Sequence, residues 1–164
     1  MAARPKTDQL QIRVSPSEKA AIQRAAKRCG LDMSSYVLSR VISVPAIRFQ
    51  ECIAAAAGSN FSYGLAELNA MLTKLSSFEL KDAVAAAPAL SLSPFVANYV
   101  AAMVEHACAL QAIPIPHWTR AIVPLVDPWF ASSAPRLRHY LLTSSPASFR
   151  RRNIFIDSSL GSRV

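Results

Sequence analysis

The sequence predicts a mostly α-helical chain in two parts, and three observations support this prediction. Residues 10–14 (LQIRV) alternate apolar and polar side chains, which is the period of a half-buried strand. Two capped helical patterns follow this segment within residues 15–42. Further helical patterns recur from residue 46 onwards. We therefore expect a small strand-helix-helix module followed by a larger helical part.

The short strand needs a partner. A lone strand cannot satisfy its backbone groups or bury one face by itself. Pairing with the same strand of a second copy gives a two-stranded ribbon with Gln9, Gln11 and Arg13 on its outer face. A two-stranded ribbon fits the major groove of DNA. The sequence thus predicts a homodimer that binds double-stranded DNA.

Local signals bound the two helices. Ser15 and Glu18 form a capping box, and Pro16 occupies a first-turn position that tolerates proline. Gly30 is placed to end the first helix in a left-handed conformation, and Asp32 is placed to cap the second. The apolar positions predicted to face inward are Ala21, Ile22, Ala25, Ala26, Cys29, Tyr36, Val37, Val41 and Ile42.

Residues 9–42 resemble a ribbon-helix-helix domain of the bacterial antitoxin and repressor class. The segments IRVSPSEKAAIQRAA and CGLDMSSYV and the spacing between them carry this resemblance, which covers about a fifth of the chain. The resemblance implies that the strand side chains face bases and that the amides at the start of the second helix hold a phosphate. Asp32 stands where Ser or Thr is more usual. The implied DNA-binding residues are Gln9, Gln11, Arg13, Met33, Ser34 and Ser35.

Two alternative interpretations of this region stay open. Residues 18–41 also fit a helix-turn-helix, and the same residues fit a structural helical hairpin without a DNA role. The alternation of residues 10–14 favours the ribbon, because a helix-turn-helix has no use for an alternating segment directly before its first helix.

Basic charge is concentrated at the two ends of the chain, whose net charge is +8. Residues 1–45 hold 8 lysines and arginines against 3 acidic residues, and residues 132–164 hold 6 against 1. Residues 46–131 hold 4 against 6. The excess near the N-terminus suits contacts with DNA phosphates, which supply most non-specific affinity.

The remaining sequence predicts five helices and one irregular segment. The helices are expected over residues 46–57, 65–75, 79–87, 94–111 and 136–143, with a short strand or extended tail at 153–157. Residues 114–135 form a segment rich in proline and tryptophan, without regular structure. We expect a DNA-binding and dimerisation module at 1–45, a connecting helix and loop at 46–64, and a partner-binding domain at 65–164.

Three consecutive arginines near the C-terminus, at 150–152, are flanked by apolar side chains. Such a run is a solvated turn, a nucleic-acid contact beside the operator, or a site for an acidic protein surface. The apolar flanks favour the protein partner. The predicted partner-binding residues are Trp118, Trp129, Phe149, Arg150, Arg151, Arg152 and Phe155.

The sequence contains no pattern typical of an enzyme. GxGxxG, P-loop, HExxH and GxSxG motifs are absent, and no nucleophile, base and oxyanion donor assemble. The three cysteines lack CxxC or Cys/His spacing, so we expect neither a disulfide framework nor a metal, and each cysteine is predicted to be a small core residue in a reducing cytoplasm. We also expect no cofactor and no signal peptide. Residues 95–113 carry interrupting polar groups, so we expect no membrane span there.

The resemblance implies an antitoxin that represses its own operon and neutralises a cognate toxin through its C-terminal domain. The tail SPASFRRRNIFIDSSLGSRV also resembles tails of antitoxin-like proteins encoded beside nucleotidyltransferase toxins, so the implied toxin is of the nucleotidyltransferase or acetyltransferase type. The main alternative is a plain repressor whose C-terminal domain oligomerises or senses a ligand. A third is an accessory interaction protein without a specific DNA site.

Overall fold

The computed structural model describes residues 11–28, 30–41, 43–58 and 61–157. The chain divides into two compact units, Met1–Ile42 and Ser43–Val164. The described residues are mostly helical, with one small parallel sheet of two strands, which confirms the predicted mostly α class. None of the described helices has the length and apolar character needed to cross a bilayer.

The first unit contains α1 (Pro16–Arg28) and α2 (Met33–Val41), and its helix ends confirm the predicted capping. The Ser15 amide donates to the Glu18 carboxylate at 2.8 Å, and the Glu18 amide donates to Ser15 Oγ at 3.3 Å. These are the two reciprocal bonds of a capping box. At the start of α2, the Ser35 amide donates to Asp32 Oδ1 at 3.0 Å.

Gly30 ends α1 as predicted. Its φ of 67° lies in the left-handed region, which a residue with a Cβ rarely adopts. The Leu31 amide donates to the Ala26 carbonyl and the Gly30 amide to the Lys27 carbonyl, at 3.0 and 3.1 Å. This pair of bonds is a Schellman motif, which satisfies carbonyls at the end of α1.

The predicted strand is not formed in the single chain. Residues 11–15 have no regular secondary structure, and Gln9 and Leu10 lie outside the described residues. A strand is defined by hydrogen bonds to a neighbouring strand, and none of the described residues supplies one here, so pairing with a second copy stays a prediction. Cys29, Ile42 and the side chain of Val41 also lie outside the described part.

The second unit begins with three helices, α3 (Val44–Ala57), α4 (Phe61–Lys74) and α5 (Ser77–Ala83), followed by the long α6 (Pro94–Leu110). The remaining elements in chain order are α7 (His117–Arg120), β1 (Trp129–Phe130), α8 (Pro135–Ser144), α9 (Ala147–Arg150) and β2 (Ile154–Phe155). The largest errors in the predicted boundaries are at two helix ends: α4 begins at Phe61 rather than 65, and α5 ends at Ala83 rather than 87. The segment predicted to be irregular also contains the one-turn helix α7.

The helix predicted to connect two domains is part of the core of the second unit. Phe49 and Ile53 of α3 are fully buried in the same cluster as Leu68 of α4. Gly64 lies so close to α3 that a Cβ at this position would be 2.3 Å from the Ala56 nitrogen. The predicted division at 46–64 was therefore wrong, and the second unit begins at Ser43.

The long helix α6 is at the centre of the second unit. Val100, Ala101, Ala102, Val104 and Cys108 are all fully buried. This burial confirms the prediction of a core helix over residues 94–111, in which polar side chains interrupt an apolar run.

The two short strands join the proline-rich segment to the C-terminal turn. Trp129 is in register with Ile154 and Phe130 with Phe155 in a parallel pair. The Trp129 amide donates to the Asn153 carbonyl at 2.8 Å. The predicted extended structure within 153–157 is thus confirmed at Ile154–Phe155.

Candidate nucleic-acid interface

Residues 11–14 present both apolar and polar side chains to solvent. Gln11 and Arg13 are exposed, and so are Ile12 and Val14, at 56% and 42%. In an extended segment, Ile12 and Val14 share the face opposite Gln11 and Arg13. One face of this segment is therefore apolar and uncovered in the single chain.

The two helices of the first unit form a small apolar surface rather than a closed core. Ala26 is 2% exposed and is the only fully buried side chain among the described residues of this unit. Ala21, which was predicted to face inward, is exposed. Half-buried apolar side chains surround Ala26 at Ile22, Ala25, Tyr36, Val37 and Leu38. A unit with so little buried apolar area requires additional cover to be stable.

Several exposed cations lie on the surface of this unit. None of them forms an ion pair within the described part of the chain, whose salt bridges all lie in the second unit. Among the described residues of the same unit, the acidic side chains are Glu18 and Asp32, and each accepts hydrogen bonds at a helix start. The uncompensated cations are Arg13, Lys19, Arg24, Lys27 and Arg28.

The start of α2 differs from a simple anion site. Hydrogen bonds from Ser35 hold the pKa of the Asp32 carboxyl below its ordinary value, so the side chain is charged at neutral pH. Its Oδ1 already accepts from the Ser35 amide. The exposed residues Met33 and Ser34 complete this first turn. A phosphate bound here would lie beside a carboxylate, which opposes the attraction of the helix terminus.

The predicted partner-binding tryptophans have contacts inside the second unit. Trp118 is half-buried, packs 6.4 Å from the ring of Phe49, and donates its indole N–H to the Val84 carbonyl at 2.9 Å. Trp129 is half-buried and lies 4.9 Å from the ring of Phe95. Both side chains therefore anchor the proline-rich segment to the helices.

The predicted partner-binding phenylalanines are also internal. Phe149 is buried and meets Tyr99 edge-on, with ring centroids 5.5 Å apart. Phe155 is buried and stacks on Phe130 at 4.9 Å. Both rings are therefore packed inside the second unit, and their predicted role in partner binding stays a prediction.

The predicted patch of three surface arginines was wrong for Arg152, which is 5% exposed. Its Nη2 is 2.6 Å from Glu105 Oε1 and donates to the Thr119 carbonyl at 2.8 Å. Its Nη1 donates to Asn98 Oδ1 at 3.1 Å. A buried guanidinium needs a carboxylate and several acceptors, and α6 supplies the carboxylate of Glu105 and the amide oxygen of Asn98. Arg150 and Arg151 remain on the surface.

A signal for this buried arginine was present in α6. Asn98 and Glu105 are seven residues apart, so they lie on the same face of an otherwise apolar helix. A carboxylate on a buried helix face implies a cationic partner, and the C-terminal segment is rich in arginine. Sequence alone does not indicate which of the three consecutive arginines turns inward.

Other reactive side chains of the second unit are consistent with core roles. Burial raises the pKa of the Cys52 and Cys108 thiols and lowers the pKa of His106. Cys52 and Cys108 are core residues as predicted, whereas Cys29 lies outside the described residues. Among the described residues, no group of three His, Cys, Asp or Glu side chains could hold a metal ion.

One comparison with known families gives a match. A family model described as NikA-like, mobilization protein NikA, matches residues 4–76. This is a relaxosome-type family with a ribbon-helix-helix character, and the match spans the first unit together with α3 and α4. It covers less than half of the 164-residue chain. The match indicates a DNA-binding regulatory protein and does not single out an antitoxin.

Two other comparisons give no match. No curated protein and no solved structure is similar to the chain at a significant level.

Proposed function

We propose that this chain is a DNA-binding accessory protein of the mobilization type, which binds duplex DNA as a ribbon-helix-helix dimer and acts without catalysis. The observation that carries this proposal is the uncovered apolar face at Ile12 and Val14, in a unit with exposed, unpaired cations and little core. The family match to residues 4–76 supports the same function.

In the proposed dimer, residues 10–14 of two copies pair as antiparallel strands. The paired strands place Ile12 and Val14 against α1 and α2, which covers the apolar surface around Ala26. About half of each side chain is still exposed, so covering the rest stabilises the dimer by roughly 0.7–1.5 kcal/mol per side chain. The opposite face carries Gln11 and Arg13 into the major groove, where an arginine fork matches the edge of guanine.

The antitoxin interpretation has less support. It requires the second unit to present a surface for a toxin, but five of the seven residues predicted for that surface pack or hydrogen-bond within the unit. Arg150 and Arg151 are the exceptions, being exposed. A mobilization-type role needs no toxin surface.

A ligand-sensing repressor is the second candidate, and a cleft in the second unit favours it. The cleft has a volume of about 440 Å³ and lies between α4, α6 and α9. Its apolar lining includes Leu72, Met103 and Phe149, with the polar side chains His106 and Gln111 beside them. Apolar clefts with a few polar groups are typical of small-molecule sites.

Selection of bound fragments from host genomic DNA tests the proposed function. Full-length protein is incubated with sheared DNA, and the retained fragments are sequenced against the unselected input. A two-fold dimer should enrich fragments that share a short inverted repeat. Enrichment beside genes of DNA transfer supports the mobilization-type role, whereas enrichment at the protein's own promoter alone favours the repressor. If the retained fragments have the same sequence distribution as the unselected input, both candidate functions are contradicted.

A further inference from the structure

A second cleft, with four charged side chains in its lining, lies in the second unit, where the loop after α7 meets the turn after α9. Its volume is about 380 Å³. The charged side chains that line it are Glu105, Arg120, Arg151 and Arg152. This cleft shares no lining residue with the apolar cleft between α4, α6 and α9.

The charge of this cleft is not balanced. Glu105 and Arg152 form an ion pair at 2.6 Å and neutralise each other. Arg120 and Arg151 are exposed, and neither forms an ion pair within the described part of the chain. Two positive charges therefore face one cavity without a counter-charge.

The buried Arg152 holds the backbone next to both exposed arginines. It follows Arg151 directly in the chain, and its Nη2 donates to the carbonyl of Thr119, the residue before Arg120, at 2.8 Å. Thr119 is itself fully buried. The backbone beside each exposed guanidinium is thus fixed to the same buried side chain.

Two amides fix the rest of the loop. Asn98 Nδ2 donates to the Val123 carbonyl at 2.9 Å, and Asn153 Nδ2 donates to the Leu125 carbonyl at 2.7 Å. Asn98 and Asn153 therefore attach the loop to α6 and to the turn after α9. A loop whose backbone is already held in this way loses little entropy when the cleft binds a ligand.

We propose that this cleft binds a phosphate group between Arg120 and Arg151. Guanidinium groups match phosphate oxygens with paired N–H donors. A carboxylate carries a single charge and would neutralise one of the two arginines, whereas a terminal phosphate carries nearly two charges and DNA presents successive phosphates. The phosphate comes either from a DNA backbone or from a free phosphate compound.

This site is separate from the proposed ribbon. The exposed arginines of the cleft belong to the second unit, and the family match ends at residue 76. If the ribbon does not bind DNA, a free phosphate still fits the cleft. The two proposals therefore fail separately.

The test compares two full-length double variants with the wild type. Arg120→Gln with Arg151→Gln removes the two cleft arginines. The matched control, Arg136→Gln with Arg150→Gln, removes two exposed arginines that do not line the cleft. Both variants change the net charge equally, so a difference between them is caused by the loss of the two cleft arginines. Far-UV circular dichroism checks that each variant keeps its helices.

The first arm uses inorganic phosphate as the probe. The melting temperature of each protein is measured in phosphate and in acetate at equal ionic strength and pH, because a ligand that binds the folded state raises it. Phosphate should raise the melting temperature of the wild type and the control above the value in acetate, and the cleft variant should not show that difference.

The second arm uses duplex DNA. Affinity is measured over a range of salt concentrations, and the slope of log affinity against log salt should fall by about one for each DNA phosphate that a variant no longer binds. A flatter slope in the cleft variant than in the control assigns the site to the DNA backbone. A phosphate effect without a slope effect assigns it to a free phosphate compound. Identical behaviour of cleft variant and control in both arms would overturn the proposal.

Discussion

Arg150, Arg151 and Arg152 are the same residue type but have different roles. Arg150 and Arg151 are exposed, whereas Arg152 is buried and bonded to side chains and carbonyls from α6 and α7. The difference comes from hydrogen-bond partners 30 to 54 residues away in sequence. The sequence pattern alone therefore does not distinguish the roles of the three arginines.

Replacing Arg152 should strongly destabilise the second unit. Arg152→Met leaves the Glu105 carboxylate buried without its partner, which typically costs about 3–5 kcal/mol. The matched control Arg150→Met changes an exposed side chain and should cost no more than about 0.5 kcal/mol. Urea unfolding measures both. Equal stabilities of the two variants would remove the structural role of Arg152.

Asp32 tests whether a phosphate is held at the start of α2. Asp32→Asn keeps a good helix cap and removes a negative charge next to the predicted phosphate. DNA affinity should therefore rise by about 0.3–1 kcal/mol, the usual effect of a charge at a helix terminus. Glu18→Gln makes the same charge change at the start of α1. If both variants raise the affinity equally, general electrostatics explains the effect and the phosphate is not at α2.

At the scale of helices and strands, local chemistry was predictable and long-range packing was not. The Ser15 capping box, the left-handed Gly30 and the Asp32 cap depend on neighbours within four residues, and all three are formed. By contrast, α3 was predicted to be a connector, because the local sequence does not reveal its packing against α4 and α6. The short helix α7 was also missed, because the prolines on both sides of residues 117–120 indicate irregular structure.

In the candidate site, too, some features were predictable from the sequence and others were not. Exposed cations of the first unit follow from the charge distribution. Gln11 and Arg13 are exposed, but so are Ile12 and Val14, so the outer face of the ribbon stays a prediction. The pairing of residues 10–14 depends on a second chain and stays a prediction. The aromatic residues of the C-terminal half were assigned to a partner because sequence does not distinguish an internal anchor from an exposed one.

Gly64 tests the close packing of α3 on α4. A Cβ at this position meets backbone atoms of Ala56, which cannot move away as a side chain would. Gly64→Ala should therefore cost about 1–3 kcal/mol, the usual penalty of overpacking.

Gly58→Ala is the control for this substitution, because its added Cβ would be no closer than 3.6 Å to any neighbour and its φ is negative. It should be close to neutral in thermal or urea unfolding. A Gly64→Ala variant as stable as Gly58→Ala would show that the two helices do not approach closely in solution.

At the scale of the whole molecule, the proposed dimer depends on the face formed by Ile12 and Val14. Ile12→Asp places a charge on that face and should convert the dimer to a monomer, because an unpaired charge is costly to bury. Ile47→Asp makes the same change at an apolar side chain of the second unit that is 49% exposed. Light scattering after size-exclusion chromatography should give a monomer for the first variant and the wild-type mass for the second. A dimeric Ile12→Asp would place the dimer contact elsewhere.

The central claim, that residues 10–14 read DNA, is tested most directly by comparing Arg13→Ala with Arg24→Ala. Fluorescence anisotropy measures the affinity of each variant for the selected DNA site and for a scrambled site of the same composition. Arg13→Ala should reduce the preference for the selected site by about 1–3 kcal/mol. Arg24→Ala, which removes an exposed cation from α1, should weaken both affinities similarly. An unchanged preference in Arg13→Ala, or the same loss in both variants, would contradict the claim.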